Sequence, residues 1–176
     1  MIPSTKLKEK TDAGTPFYVT STLGAGGAEA IEALRRVPMF SELEPRKLES
    51  LLEESTLKTY KEGDTIIKDG SLLADMYVIV KGKVEVRKKG KVIARLDEGQ
   101  FFGEMAVLNA EPTGRSADVQ ATERTTCIRI RGLVWTAFLR KNPDVAIEVI
   151  RLLASRLRKT SRSLSLLQNL PPASSA

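Results

Sequence analysis

The chain has no histidine and a single cysteine in 176 residues. The absence of histidine excludes His general acid–base chemistry, Ser-His and Cys-His dyads, and any metal site that uses imidazole. Cys127, in "RTTCIRI", has no internal partner for a disulfide and reads as a buried structural thiol. No apolar run approaches the length that spans a bilayer, and the opening "MIPSTKLKEKTDAGT" lacks the apolar stretch of a secretory signal. A cytoplasmic protein without membrane contact is expected. Cysteines and carboxylates do not cluster at metal-ligand spacing, and no nucleophile stands beside a base. Neither an enzyme nor a resident cofactor is expected.

What is present is a globular composition, 41% hydrophobic, with a net charge of +6. That charge admits nucleic acid, anionic lipid or a small phosphate ligand as partner without choosing among them. Residues 1–27 mix Lys, Thr, Ser, Gly and Pro and read as a flexible arm. "AEAIEALRRVPMFSEL" then has helical spacing at Ile31 and Leu34 and stops at Pro38. "EPRKLESLLEES" reads as a second short helix, with Glu44 at its start, Pro45 in the first helical position, and Leu48, Leu51 and Leu52 on one face.

The period changes at Thr56. "TLKTYKEGDTIIKDG" alternates, and strand-like runs follow at Met76–Val80, Lys83–Arg87 and Lys91–Leu96, with two more in "SADVQATERTTCIRIRG". Short strands at close intervals predict an α+β fold: an antiparallel, jelly-roll-like β-roll with short helices before it and a long helix after it. The helical tail breaks at "KNPD", where Asn142 is the expected cap and Pro143 the first helical residue. The expected units are residues 28–141, a helix over 142–170, and a disordered end over 171–176. Along that helix Ile150, Leu157 and Leu164 form one heptad row. Leu153, Thr160 and Leu167 form another, which the polar pair Thr160-Ser161 interrupts.

The segment "GQFFGEMAVLNAEPTGRSADVQA" sets Glu104 eleven positions before Arg115. "GEMAVL" reads as a short helix whose first amides have no intrahelical acceptor, and Gly103 allows close backbone approach to an anion. Arg115 suits bidentate binding of phosphate oxygens, and Ser116 adds a hydroxyl. A carboxylate would repel phosphate, so Glu104 suits hydroxyl groups. An anion beside a hydroxyl describes a sugar phosphate. The plainer alternative is a surface ion pair between Glu104 and Arg115, of small energetic worth.

"GEMAVLNAEPTGRSADVQA" resembles the phosphate-binding cassette of cyclic nucleotide-binding domains. The flanking "EGDTIIKDG", "MYVIVKGKVEV", "LDEGQFFGE" and "VPMFSELEPRKLESL" extend the resemblance over about Leu34 to Leu167. It implies a β-roll that binds a 3′,5′-cyclic nucleotide. Arg115 would hold the cyclic phosphate and Glu104 the ribose 2′-hydroxyl. Gly103, Met105, Ala106, Ser116 and Ala117 would complete the cradle, with backbone amides from Gly103, Ala106 and Ser116. Val86 and Ala94 would line the base pocket.

The segment "NPDVAIEVIRLLASRLRKTSRSL" is similar to the dimer helix of catabolite activator-type regulators. The likeness implies that Arg156 pairs with Glu104. It also implies that Thr160 and Ser161 read the base, Ser161 from the partner subunit. A parallel homodimer that prefers cAMP, with cGMP as the alternative, follows as the expectation. Family regulators place a helix-turn-helix domain after this helix; here no recognition helix follows, so DNA binding by this chain is not expected. The main expectation is a binding module that signals to an effector protein, the alternative a cAMP-responsive transcription regulator lacking its DNA-binding domain. A domain that has lost its ligand is disfavoured by the intact cassette.

Overall fold

The computed structural model describes residues 25–109 and 114–168, with side chains over 27–109 and 114–162. Helix α1 spans Ala25–Arg36, a 3-10 turn covers Pro38–Phe40, and α2 spans Pro45–Glu53. Helix α1 therefore starts inside the stretch assigned to the arm, because Gly26 and Gly27 fall in the first turn, where few intrahelical bonds are at stake. The rest of the arm lies outside the described residues.

Eight antiparallel strands follow: β1 Ser55–Tyr60, β2 Thr65–Ile67, β3 Asp75–Lys81, β4 Val84–Lys88, β5 Lys91–Leu96, β6 Phe101–Phe102, β7 Asp118–Ala121 and β8 Thr125–Arg131. They form two four-stranded sheets, β1-β8-β3-β6 and β2-β7-β4-β5. The five-residue α3, Glu104–Leu108, interrupts the roll between β6 and β7. Helices α4, Gly132–Lys141, and α5, Pro143–Gln168, complete the order. This is the α+β roll that the strand spacing predicted. Strand β6 was not anticipated, since a two-residue strand has no period to read.

Strand β3 explains the layering. Its residues Asp75–Val80 are all buried, because both of its faces are covered. Met76, Val78 and Val80 point into the core under the helices, with Leu34, Phe40, Leu48, Trp135, Val145 and Val149. Tyr77 and Ile79 point between the sheets, with Val84, Phe102, Val119 and Cys127. The chain's single tryptophan, Trp135, is fully buried and packs edge-on to Phe40 at 5.8 Å and stacked on Phe138 at 5.9 Å. Its Nε1 has no hydrogen-bond partner among the described residues.

Cys127 is fully buried, and desolvation pushes its thiol up to about 12 from 9.0. A raised folded value favours the neutral thiol. The resulting stability is present below pH 9 and is lost as the pH climbs from 9 toward about 12. At pH 8 native protein is expected to resist alkylation by iodoacetamide over hours, while denatured protein reacts within minutes; mass spectrometry of both samples checks this.

At the joint between α4 and α5 the expected cap is built differently. The Asn142 carboxamide donates back to the Phe138 carbonyl at 2.9 Å and so serves the end of α4. The Asn142 carbonyl accepts from Val145 and Ala146 and opens α5. With one residue between two helices, a side chain that closes the first is not available to cap the second.

Candidate functional site

A cavity of about 520 Å³ opens between the second sheet, α3, the residues that precede β7, and α5. Its apolar wall is Ile67, Val86, Phe102, Leu108 and Val119. Its polar groups come from the cassette (Gly103–Ala106 and Gly114–Ala117), from Asn109, and from Arg156 and Thr160 of α5.

Gly103 makes the turn from β6 into α3 in the left-handed region, φ +86°. A Cβ there would stand 2.6 Å from the Asp75 carbonyl oxygen and 2.8 Å from Arg115 Nη1. Only glycine fits this crossing without strain. Next to it Arg115, 6% exposed, donates from Nη1 to the Gly103 carbonyl at 2.8 Å and from Nη2 to the Asp75 carbonyl at 2.6 Å. Those bonds engage two of the five guanidinium N–H groups. Asp75 is itself held by Arg129, whose Nε donates to its carboxylate at 2.7 Å. Burial lowers the Arg115 pKa from 12.5, and Tyr77, Asp75 and Glu104 oppose that shift. An anion brought to this cation would offset its desolvation.

Glu104, 4% exposed, is the first residue of α3. Its Oε1 accepts from Arg156 Nη1 at 2.8 Å. Arg156 also donates from Nη2 to the Phe101 carbonyl at 2.9 Å and lies 4.3 Å above the Phe101 ring centroid. One side chain of α5 thus grips the last strand before the cassette and the carboxylate of the cassette. Glu104 and Arg115 do not pair with each other, and neither is on the surface, so the reading as a surface ion pair fails.

Most of the residues singled out by sequence meet here. Gly103, Glu104, Met105, Ala106, Arg115, Ser116, Ala117, Val86, Arg156 and Thr160 all line the one cavity. Thr160 also donates its hydroxyl to the Arg156 carbonyl at 3.1 Å. Two do not line it. Ala94 pairs with Val86 across β4–β5, but it is exposed and outside the wall, because β5 is the sheet edge and carries no layer over it. Ser161 lies beside Thr160 but is outside the lining of its own chain's cavity, since neighbouring helix positions point about 100° apart. Leu164 and Leu167 of the heptad rows lie outside the described side chains. Sequence reasoning missed Ile67, Phe102, Leu108, Asn109, Gly114 and Val119. The four apolar ones are indistinguishable from core in a strand or helix pattern. The Asp75 carbonyl, a main-chain acceptor, has no sequence signature at all.

A buried arginine and a buried carboxylate line one cavity of the β-roll, on either side of a glycine turn. Residues 57–142 match the family model of the cyclic nucleotide-binding domain, and the chain carries a domain of that family. It is similar to the cyclic AMP receptor protein of Thermus thermophilus, 31% identical over 135 residues, 74% of this chain and 62% of that protein. A cAMP-dependent protein kinase regulatory subunit of Mycosarcoma maydis is 33% identical over 102 residues, 56% of this chain and 19% of that subunit. The crystal structure of the Thermus thermophilus catabolite activator protein superimposes with a TM-score of 0.65 at 32% identity, covering 74% of this chain and 63% of that one. The chain thus spans less than two thirds of the length of these relatives.

Proposed function

We propose that the cavity binds a 3′,5′-cyclic nucleotide, cAMP in preference to cGMP, and that α5 conveys its occupancy to a dimer surface and an effector protein. The observation that carries this reading is the division of labour in the cavity. Arg115 offers charge-assisted donors for the cyclic phosphate. Glu104 offers an acceptor for the ribose 2′-hydroxyl, held in place by Arg156. Among the described residues, Thr160 brings the one hydroxyl of α5 to the lining, as a base-reading group must be placed. For a ligand to shift α5 it must bind the two positions of that helix with different affinity. The Arg156 contacts with Glu104 and Phe101 are the groups through which such a difference would arise.

The dimer is supported by α5 itself. Val145 and Val149 are buried on one side, while Ile150 and Leu157, one heptad apart, are 65% and 68% exposed. An apolar row on the outer face of a helix calls for a partner. A Ser161 outside its own chain's cavity also fits the role assigned to it in the partner's site.

Calorimetric titration with cAMP and cGMP, with the mass in solution measured on the same sample, tests the proposal. Tighter binding of cAMP and a mass of two chains are expected. Tighter cGMP binding overturns the base preference, and a monomer at micromolar concentration overturns the dimer. The 62% span of the Thermus relative favours one further reading, a cAMP-responsive regulator whose DNA-binding part lies outside this sequence. The reading frame beyond Ala176 distinguishes it from a separate module.

A further inference from the structure

One end of the roll carries a surface that the nucleotide cavity does not use. The loop between β2 and β3 presents Leu72 and Leu73, 76% and 67% exposed, and the start of α4 presents Leu133 at 88%. Leu133 and Leu72 are the two most exposed large apolar side chains among the described residues. Their segments meet in the fold, where Asp75 pairs with Arg131. Gly132 backs directly onto the Ala74 carbonyl, where an added Cβ would stand only 2.2 Å away. The same loop is tied to the β4–β5 hairpin tip by Lys88, whose Nζ donates to both Asp69 oxygens at 2.9 and 3.0 Å.

The hairpin tip is unusual in its chemistry. Lys88 stands directly opposite Lys91, a like-charge cross-strand pair. Lys89 lies between them at φ +50°, the single non-glycine residue in the left-handed region among the described residues. Asn, Asp or Gly would make this two-residue turn at lower cost. Lys89 and Lys91 are exposed and have no carboxylate partner among the described residues. Lys68 adds a further ammonium at the loop's start, paired at 3.3 Å with Asp118. Against these lysines stand Asp69 and Asp118. The acidic pair Glu53-Glu54, which precedes β1, bounds the surface beyond β8.

From this placement we propose that this end of the roll, Leu72, Leu73 and Leu133 rimmed by Lys88, Lys89 and Lys91, is a docking face for an anionic lipid bilayer. Exposed leucines enter the headgroup–acyl boundary, and lysines keep their ammonium groups at the phosphates while their stems lie along apolar surface. A second copy of the chain is a poor occupant, because two such faces would bring like charge against like. Nucleic acid would satisfy the lysines and leave the leucines in water. None of these side chains lines the nucleotide cavity, although the main chain of the same loop, at Gly70 and Ser71, is hydrogen-bonded to Arg115.

Sedimentation of the full chain with phosphatidylcholine vesicles, with and without about 30 mol% phosphatidylserine, tests the proposal. The expected result is binding to the anionic vesicles alone, weakened by raising the salt. Lys89→Glu/Lys91→Glu and, separately, Leu72→Asp/Leu133→Asp are each expected to cut vesicle binding at least about tenfold. Both variants should keep their melting temperature and their cAMP titration. The proposal is overturned by absence of binding at low salt. It is also overturned if the lysine variant loses binding while the leucine variant retains it, which would mark a diffuse electrostatic attraction, or if duplex DNA or an acidic polypeptide displaces the vesicles at equal charge.

Discussion

Arg115→Ala is expected to weaken cyclic-nucleotide binding by at least about a hundredfold, since it removes charge-assisted donors worth about 1.5–3 kcal/mol each. Titration calorimetry against the unaltered protein reads the loss. The same change should cost stability without any ligand, because the Gly103 and Asp75 carbonyls lose the donors that satisfy them. Unpaired buried acceptors cost about 1–3 kcal/mol each, while removing the desolvated cation returns part of that. A net loss of about 1–3 kcal/mol in urea unfolding is the expected balance. Arg115→Lys separates the two roles. It keeps the charge but has no planar fork to reach two carbonyls and a phosphate together, so binding should recover only in part. Unchanged cAMP affinity in Arg115→Ala would sink the assignment of the cavity.

Gly103→Ala carries the second large effect. A left-handed backbone costs an alanine about 1–2 kcal/mol. The new methyl would also stand 2.6 Å from the Asp75 carbonyl oxygen, a main-chain atom at the start of a strand buried from Asp75 to Val80. A total of about 2–4 kcal/mol is expected, which lowers the melting temperature by roughly 5–10 °C in a domain of this size. Because the displaced neighbours are Asp75 and Arg115, cAMP binding should fall with it. Gly90→Ala is the matched control. Its φ of +77° imposes similar backbone strain, but an added Cβ meets nothing within 4 Å. If the two variants melt together, packing at the cassette turn is not what demands the glycine.

Much of this was readable in the residues, for physical reasons that can be named. Alternation and turn glycines marked most strands, and "KNPD" marked the break between the last helices. The cassette stood out because one short segment supplies Gly103, Glu104 and Arg115 with their order intact. The failures are equally physical. Ala94 was expected in the pocket, with Val86, only through the family resemblance, and a facing-strand position does not tell whether an edge strand is covered. The grip of Arg115 on two carbonyls could not be foreseen, since main-chain acceptors are the same in every residue. Nor could the gathering of Leu72, Leu73 and Leu133 at one end, which depends on how a loop and the start of a helix, about 60 residues apart, are brought together.

Trp135 has a practical consequence. It is the only indole in the chain, it sits in the same core as Val145 and Val149 of α5, and its Nε1 has no hydrogen-bond partner among the described residues. Such a chromophore emits at short wavelength while dry and shifts red once water reaches its nitrogen. The molecule therefore holds a dye-free optical gauge of how firmly α5 is seated, placed in a core separate from the nucleotide's own wall.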